Sequence, residues 1–181
     1  VANEAAIEAT VLTGLALGCE APAFSKFDRK NYPYPDLPKG YQISQYDYPL
    51  CVGGRLDVQV GGETHRIGIR RVHLEEDTAK LVHVEGGSLI DYNRAGVPLM
   101  EIVTEADMRS AEDAYEYLTK LRTILRYLGV NSSNMEEGAM RAEANVNFID
   151  FETGQKTPVI EVKNIGSITN CYNAIRYEIE R

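Results

Sequence analysis

The sequence predicts an α+β fold, and three observations carry that expectation. Two stretches with apolar residues at helical spacing lie near the ends of the 181 residues. Between them stand short β-prone runs separated by turn signals, among them Gly61-Gly62. A third amphipathic stretch, Ser110 to Gly129, interrupts the strands. The composition is 44% hydrophobic and 25% charged, the balance of a globular chain.

In order, Ala5 to Leu17 reads as a helix with Ile7, Val11, Leu12 and Leu15 on one face and Gly18 as its stop. Lys26 to Leu50 follows, with five tyrosines and four prolines. Each X-Pro pushes the backbone toward extended geometry, so this passage reads as an ordered loop pinned by its tyrosine rings. Arg55 to Val60 and Thr64 to Leu74 form a hairpin around the glycine pair, and "SLIDY" and "PLMEIVTE" are further strands. Ser110 to Gly129 is the clearest helix, with Ser110 and Asp113 as a capping box and Tyr117, Leu118, Leu121, Leu125 and Leu128 facing inward. Arg141 to Ile149 and Thr157 to Lys163 are strands. Ser167 to Arg181 is a last helix with Ile168, Cys171, Ile175 and Ile179 inward.

No apolar run reaches the roughly 18 residues of a membrane span. The opening stretch has acids where an export signal carries basic residues. Cys19, Cys51 and Cys171 form no CxxC pair, which suits a reducing, cytoplasmic setting. The net charge of -8 argues against a surface that sheathes nucleic acid phosphates unaided.

Strand alternation supplies the chemical hint. Arg141, Glu143, Asn145 and Asn147 share one face of their strand, and Glu161 and Lys163 share one face of the next. A hairpin with an odd-length loop would merge them into one polar face. That face reads either as a solvated surface or as a binding site. Glu136 and Glu137 precede it and, with Glu143 and Glu161, make a candidate hard-cation site; a plain acidic loop is the alternative. His73 and His83 are candidate ligands without HxH or HExxH spacing. Walker, GxGxxG and GxSxG motifs are absent.

Five phrases occur in series: "KFDRKNYPYPDLPKGYQISQYD", "HLEEDTAKLVH", "SLIDYNRAGVPLMEIV", "MEEGAMRAEANVN" and "VIEVKN". Together the chain resembles the B subunits of aspartyl/glutamyl-tRNA amidotransferases along essentially its whole length. The resemblance implies a cradle, a bent antiparallel sheet with flanking helices, of which residues 1–181 would be a part truncated at both ends. The family's Glu-x-His phrase and zinc cysteines would precede it, and helical and tail domains would follow. It implies ATP-dependent phosphorylation of glutamate or aspartate mischarged on tRNA, with Mg²⁺, and amidation by ammonia delivered from the A subunit of an A, B and C heterotrimer, without a membrane. By the same resemblance Glu136 and Glu161 match Mg²⁺ ligands, and Lys80 and Asp91 match the ammonia path, where they are expected to be buried and paired. Arg141, Glu143, Asn145 and Lys163 are the expected ATP-contacting face. "RAEANVN" stands where "RCDANVS" is usual and "KNIGSITN" where "KNLNSF" is usual. Glu143 therefore replaces a shorter Asp, and one added methylene moves a carboxylate by about 1.5 Å. A non-catalytic scaffold that binds tRNA or a protein of the assembly is the other reading.

Overall fold

A computed structural model describes residues 2–181. The chain is α+β and divides into two compact units, one of residues through Arg55 with Gly68–Glu105, the other of Leu56–Ile67 with Ala106–Arg181. Among the described residues the strands form a three-stranded sheet and three two-stranded ones.

The first unit opens with α1, Glu4–Ala16, N-capped by Asn3. The buried face of α1 is not the predicted one. Thr10, Thr13 and Gly14 are buried, whereas Leu12 and Leu15 are 44% and 56% exposed. The threonine hydroxyls make this possible, because each donates to the carbonyl one turn back, Ala6 and Ala9. Gly14 lets the helix approach Cys51, since a Cβ there would lie 2.3 Å from the Cys51 Sγ. Burial pushes the Cys51 thiol up to about 11, with Cys19 adding to the rise.

The Tyr/Pro passage contains two strands, β1 (Asp28–Asn31) and β2 (Tyr41–Ser44), paired antiparallel with Arg29 opposite Ile43. Reading it as a loop missed this ribbon, because its X-Pro steps fall between the strands or after them and leave the ladder intact. Its tyrosines pin the passage less by burial than by stacking under cations: Arg29 lies 4.6 Å from the Tyr41 ring centre and Arg71 5.4 Å from that of Tyr46. Amide side chains do the rest. Gln45, 1% exposed, donates to Ser25 Oγ and the Lys26 carbonyl and accepts from the Leu74 N–H.

Strands β3 (Cys51–Val60) and β4 (Glu63–Glu76) join at Gly61 and Gly62, both at positive φ, as the hairpin signal required. β4 is central, flanked by β3 and by β7 (Pro98–Thr104). Val72, His73 and Leu74 are consecutive and all buried, so both faces of β4 are covered there. β5 (Lys80–Val84) and β6 (Gly87–Asp91) make a separate ribbon, followed by a 3-10 turn at Tyr92–Arg94.

In the second unit, α2 (Ala111–Tyr127) carries the predicted capping box of Ser110 and Asp113. Tyr117, Leu118, Leu121 and Leu125 are buried and Leu128 is half-buried. Strands β8 (Ala142–Val146) and β9 (Ile160–Ile165) pair antiparallel. Helix α3 (Ile168–Glu180) packs on α2, β8 and β9 through Ile168 and Cys171. Ile179, expected inward, is 42% exposed.

Candidate functional site

Part of the polar face expected from alternation forms in the second unit; Arg141 and Asn147 lie outside β8, and the register shifts between Ala142 and Ala144. Ala144 opposes Val162 and Asn145 opposes Glu161, so the polar members of β8 and β9 fall on one side. Lys163 Nζ lies 3.3 Å from Glu161 Oε2 and 3.7 Å from Glu143 Oε2. Glu143 foremost, then Glu161, holds the Lys163 ammonium in its charged form and raises its pKa. All three side chains are about half exposed, so the triad contributes little to stability and remains open to a ligand. Arg141 stands exposed just before β8.

Glu136 lies in the segment between α2 and β8, exposed, its N–H donated to Asn134 Oδ1. It lines a cleft of about 120 Å³ with Arg122, Arg126, Ser133 and the start of α3. Glu161 is not among the residues lining that cleft. Each of the two expected cation ligands thus has its own surroundings: Glu161 beside an ammonium, Glu136 on a cleft that Arg122 and Arg126 also line.

Lys80 and Asp91 are cross-strand partners at the open end of the β5–β6 ribbon. Their expected burial is corrected by the structure, in which both are exposed. Among the described residues no second layer covers this two-stranded ribbon, and Val82 and Leu89 on the same face are exposed as well. Hydrogen bonds from the Asn93 backbone and side chain, helped by Lys80, hold the Asp91 carboxyl below its ordinary range.

A different convergence appears in the first unit. On β4, His73 and Glu75 are two residues apart and share a face, and the β4–β7 register sets Glu101 opposite His73. His73 Nε2 is 3.6 Å from Glu75 Oε2 and 3.7 Å from Glu101 Oε2, and one ligand atom from each residue lies within 4.8 Å of the others. His73 is 2% exposed; Arg71 Nε donates to its Nδ1 and Ser44 Oγ donates to Glu75. Next along β4, Glu76 accepts from Lys39 and from the Ile43 N–H. One imidazole and two carboxylates with hydrogen-bonded outer partners are a donor set that a divalent cation accepts. The sequence singles out His73 but not Glu101, whose only signal there is a lone acid in the apolar run "PLMEIV". His83, the other candidate, pairs with Ser88 Oγ at the exposed end of its ribbon.

Over residues 1–181 the sequence matches the family described as the GatB/GatE catalytic domain. It is 57% identical to the B subunit of the Thermomicrobium roseum aspartyl/glutamyl-tRNA(Asn/Gln) amidotransferase, across 100% of this chain and 38% of that protein. Identity is 54% to the B subunit of the same enzyme from Dehalococcoides mccartyi strain CBDB1, across 97% of this chain and 37% of that one. It is 52% to the B subunit from Caldanaerobacter subterraneus subsp. tengcongensis, across 100% and 38%. The chain therefore spans less than two fifths of the length of the curated relatives it matches. With antiparallel ladders, flanking helices and a match from its first residue to its last, this chain belongs to the GatB/GatE catalytic domain family.

Proposed function

We propose that the chain carries the carboxylate-activating part of the B subunit of a tRNA-dependent amidotransferase. Glutamate or aspartate mischarged on tRNA would be phosphorylated by ATP, and ammonia supplied by an A subunit would displace the phosphate, within an A, B and C assembly. The observation that carries this reading is identity above 50% along the whole chain to proteins bearing that name.

The residues suit the chemistry. Phosphoryl transfer needs positioned cations and carboxylates rather than a covalent protein intermediate. Mg²⁺, when bound, offsets charge on the phosphates. Two acidic sets are available for it. Of Glu136 and Glu161, named by the resemblance, Glu161 would have to turn away from Lys163, and Glu136 lines a cleft together with two arginines. Glu75 and Glu101, with His73, already converge. Mg²⁺ prefers oxygen to nitrogen, so the two carboxylates are the stronger part of this second set. Lys163, Asn145 and Arg141 remain as groups to contact ATP, with Glu143 tethering Lys163.

Mn²⁺ binding followed by electron paramagnetic resonance in the full-length protein separates the two sets. Glu75→Gln with Glu101→Gln should weaken Mn²⁺ binding at least tenfold, about 1.4 kcal/mol. If only Glu136→Gln with Glu161→Gln weakens it, the cation belongs to the second unit. If neither pair matters, no cation role survives for either. The scaffold reading has one observation in its favour, Glu143 at the position where the family's motif has Asp. An assembled enzyme that binds mischarged tRNA without hydrolysing ATP would favour it.

A further inference from the structure

The cleft lined by Glu136 has a chemistry of its own. Its volume is about 120 Å³, room for one tetrahedral oxyanion and a few waters. Arg122 and Arg126, one turn apart on α2, line one wall. Arg126 spends its Nε on the Ser132 carbonyl, which leaves its terminal nitrogens available. Among the described residues, no carboxylate pairs with Arg122. The start of α3 lines the cleft as well: Gly166, the N-cap Ser167 and Ile168. The Ser167 hydroxyl accepts from the Asn170 N–H, and the Ser167 carbonyl accepts from Cys171. The N–H groups of Ile168 and Thr169 precede the first intrahelical bond and carry the positive end of a 13-residue helix.

Ser133 lines the same cleft. It is 2% exposed, held at φ 54°, and its Oγ has no hydrogen-bond partner among the described residues. A buried hydroxyl without a partner is costly, a cost that an acceptor entering the cleft would relieve. The simpler account, a solvated basic stripe on α2, leaves both Ser133 and the start of α3 without a role. Two guanidiniums outweigh the single carboxylate of Glu136, so the cleft favours an anion. Forked and convergent N–H donors select an oxyanion with several acceptor oxygens.

We propose that this cleft binds a phosphate group, held by Arg122, Arg126, the first-turn amides of α3 and the Ser133 hydroxyl. The identity of its carrier, a phosphodiester of the tRNA backbone or a phosphate of ATP, rests on the functional reading given above; phosphate binding itself does not.

The test begins with inorganic phosphate titrated into the ¹⁵N-labelled full-length protein at constant ionic strength, with chloride as the control. Saturable shifts of the Ile168 and Thr169 amides are expected with phosphate and not with chloride. Arg122→Gln should weaken that binding at least tenfold. Arg122→Lys keeps the charge and the helix but loses the fork, and should fall between the two. Shifts that fail to saturate, or that are the same in wild type and both variants, overturn the proposal. The assembled enzyme then identifies the carrier. A KM for mischarged tRNA raised about fivefold or more by Arg122→Gln, at unchanged KM for ATP, assigns the backbone; the reverse assigns the nucleotide. Unchanged values for both overturn the assignment of the site to either carrier, and the phosphate titration alone then decides the cleft. Failure of the assembled wild-type enzyme to amidate would refute the functional reading alone, leaving the phosphate titration to decide the cleft.

Discussion

His65 and Asp113 are joined by a single hydrogen bond between side chains 48 residues apart. His65 Nδ1 lies 2.5 Å from Asp113 Oδ1, while Oδ2 of the same carboxylate accepts from the N–H groups of Arg109 and Ser110. Asp113 thereby caps α2 and ties it to the start of β4. Burial alone would push its carboxyl up, but the Arg109 N–H and the His65 ring outweigh it and hold the carboxyl below its ordinary range. Asp113, with a smaller contribution from Glu63, raises the pKa of His65. The histidine's contribution is thus complete below its unfolded value of about 6.5 and is lost as pH rises through the raised folded value. The aspartate's is present above about 4 and is lost as pH falls through its lowered one. Thermal midpoints should therefore be higher near pH ~6 than near pH ~9, and His65→Ala should flatten that alkaline slope. An unchanged slope in the variant would remove the pair from the account. The capping half of this arrangement was legible, because Ser110 and Asp113 have box spacing. The histidine half was not, since only the fold brings residue 65 to residue 113.

At the scale of elements, α1 shows how a tertiary contact overrides an apolar pattern. The helix was legible from its spacing, but its buried face was not. Thr10 and Thr13 look polar until their hydroxyls bond back to the helix, and Gly14 is inward because only hydrogen fits against Cys51. Gly14→Ala puts two effects in opposition. Intrinsic helix propensity favours alanine by about 1 kcal/mol, whereas overpacking costs typically about 1–3 kcal/mol or more. With Cys51 Sγ and Cβ at 2.3 and 2.6 Å from the added carbon, overpacking should win. Urea denaturation should show net destabilisation; a stabilised variant would mean that α1 shifts freely. The His73, Glu75 and Glu101 set was hidden for a related reason: the register of β4 with β7, not sequence proximity, assembles it. On the β5–β6 ribbon, Lys80 and Asp91 keep their proposed place on an ammonia path only if a further segment or a partner covers them. In the assembled enzyme, Lys80→Ala should then lower glutamine-driven amidation several-fold while sparing amidation by added ammonia. Equal losses with both donors would assign Lys80 to folding or activation.

For the whole molecule, the family and the α+β class were legible because phrases such as "YPDLPKGYQISQYD" and "MEEG" are specific and run in series across the chain. The distribution of acidic groups was not. The second unit carries the polar β8–β9 face and the Glu136 cleft, while the first carries the three-ligand cluster. Alternation could place residues on one face of a strand, but it could not reveal that Lys163 pairs with Glu161 or that Glu136 shares a cleft with two arginines. The proposed activity is activation of a carboxylate on tRNA. Its most direct test is acyl-phosphate formation from ATP on mischarged tRNA by the assembled, full-length enzyme, with glutamine hydrolysis measured in parallel. Wild type should form the acyl phosphate, and Glu75→Gln with Glu101→Gln should abolish it while leaving glutamine hydrolysis intact. Undiminished acyl-phosphate formation in that double variant would contradict the cation role of Glu75 and Glu101, and its absence in wild type would contradict the proposal itself.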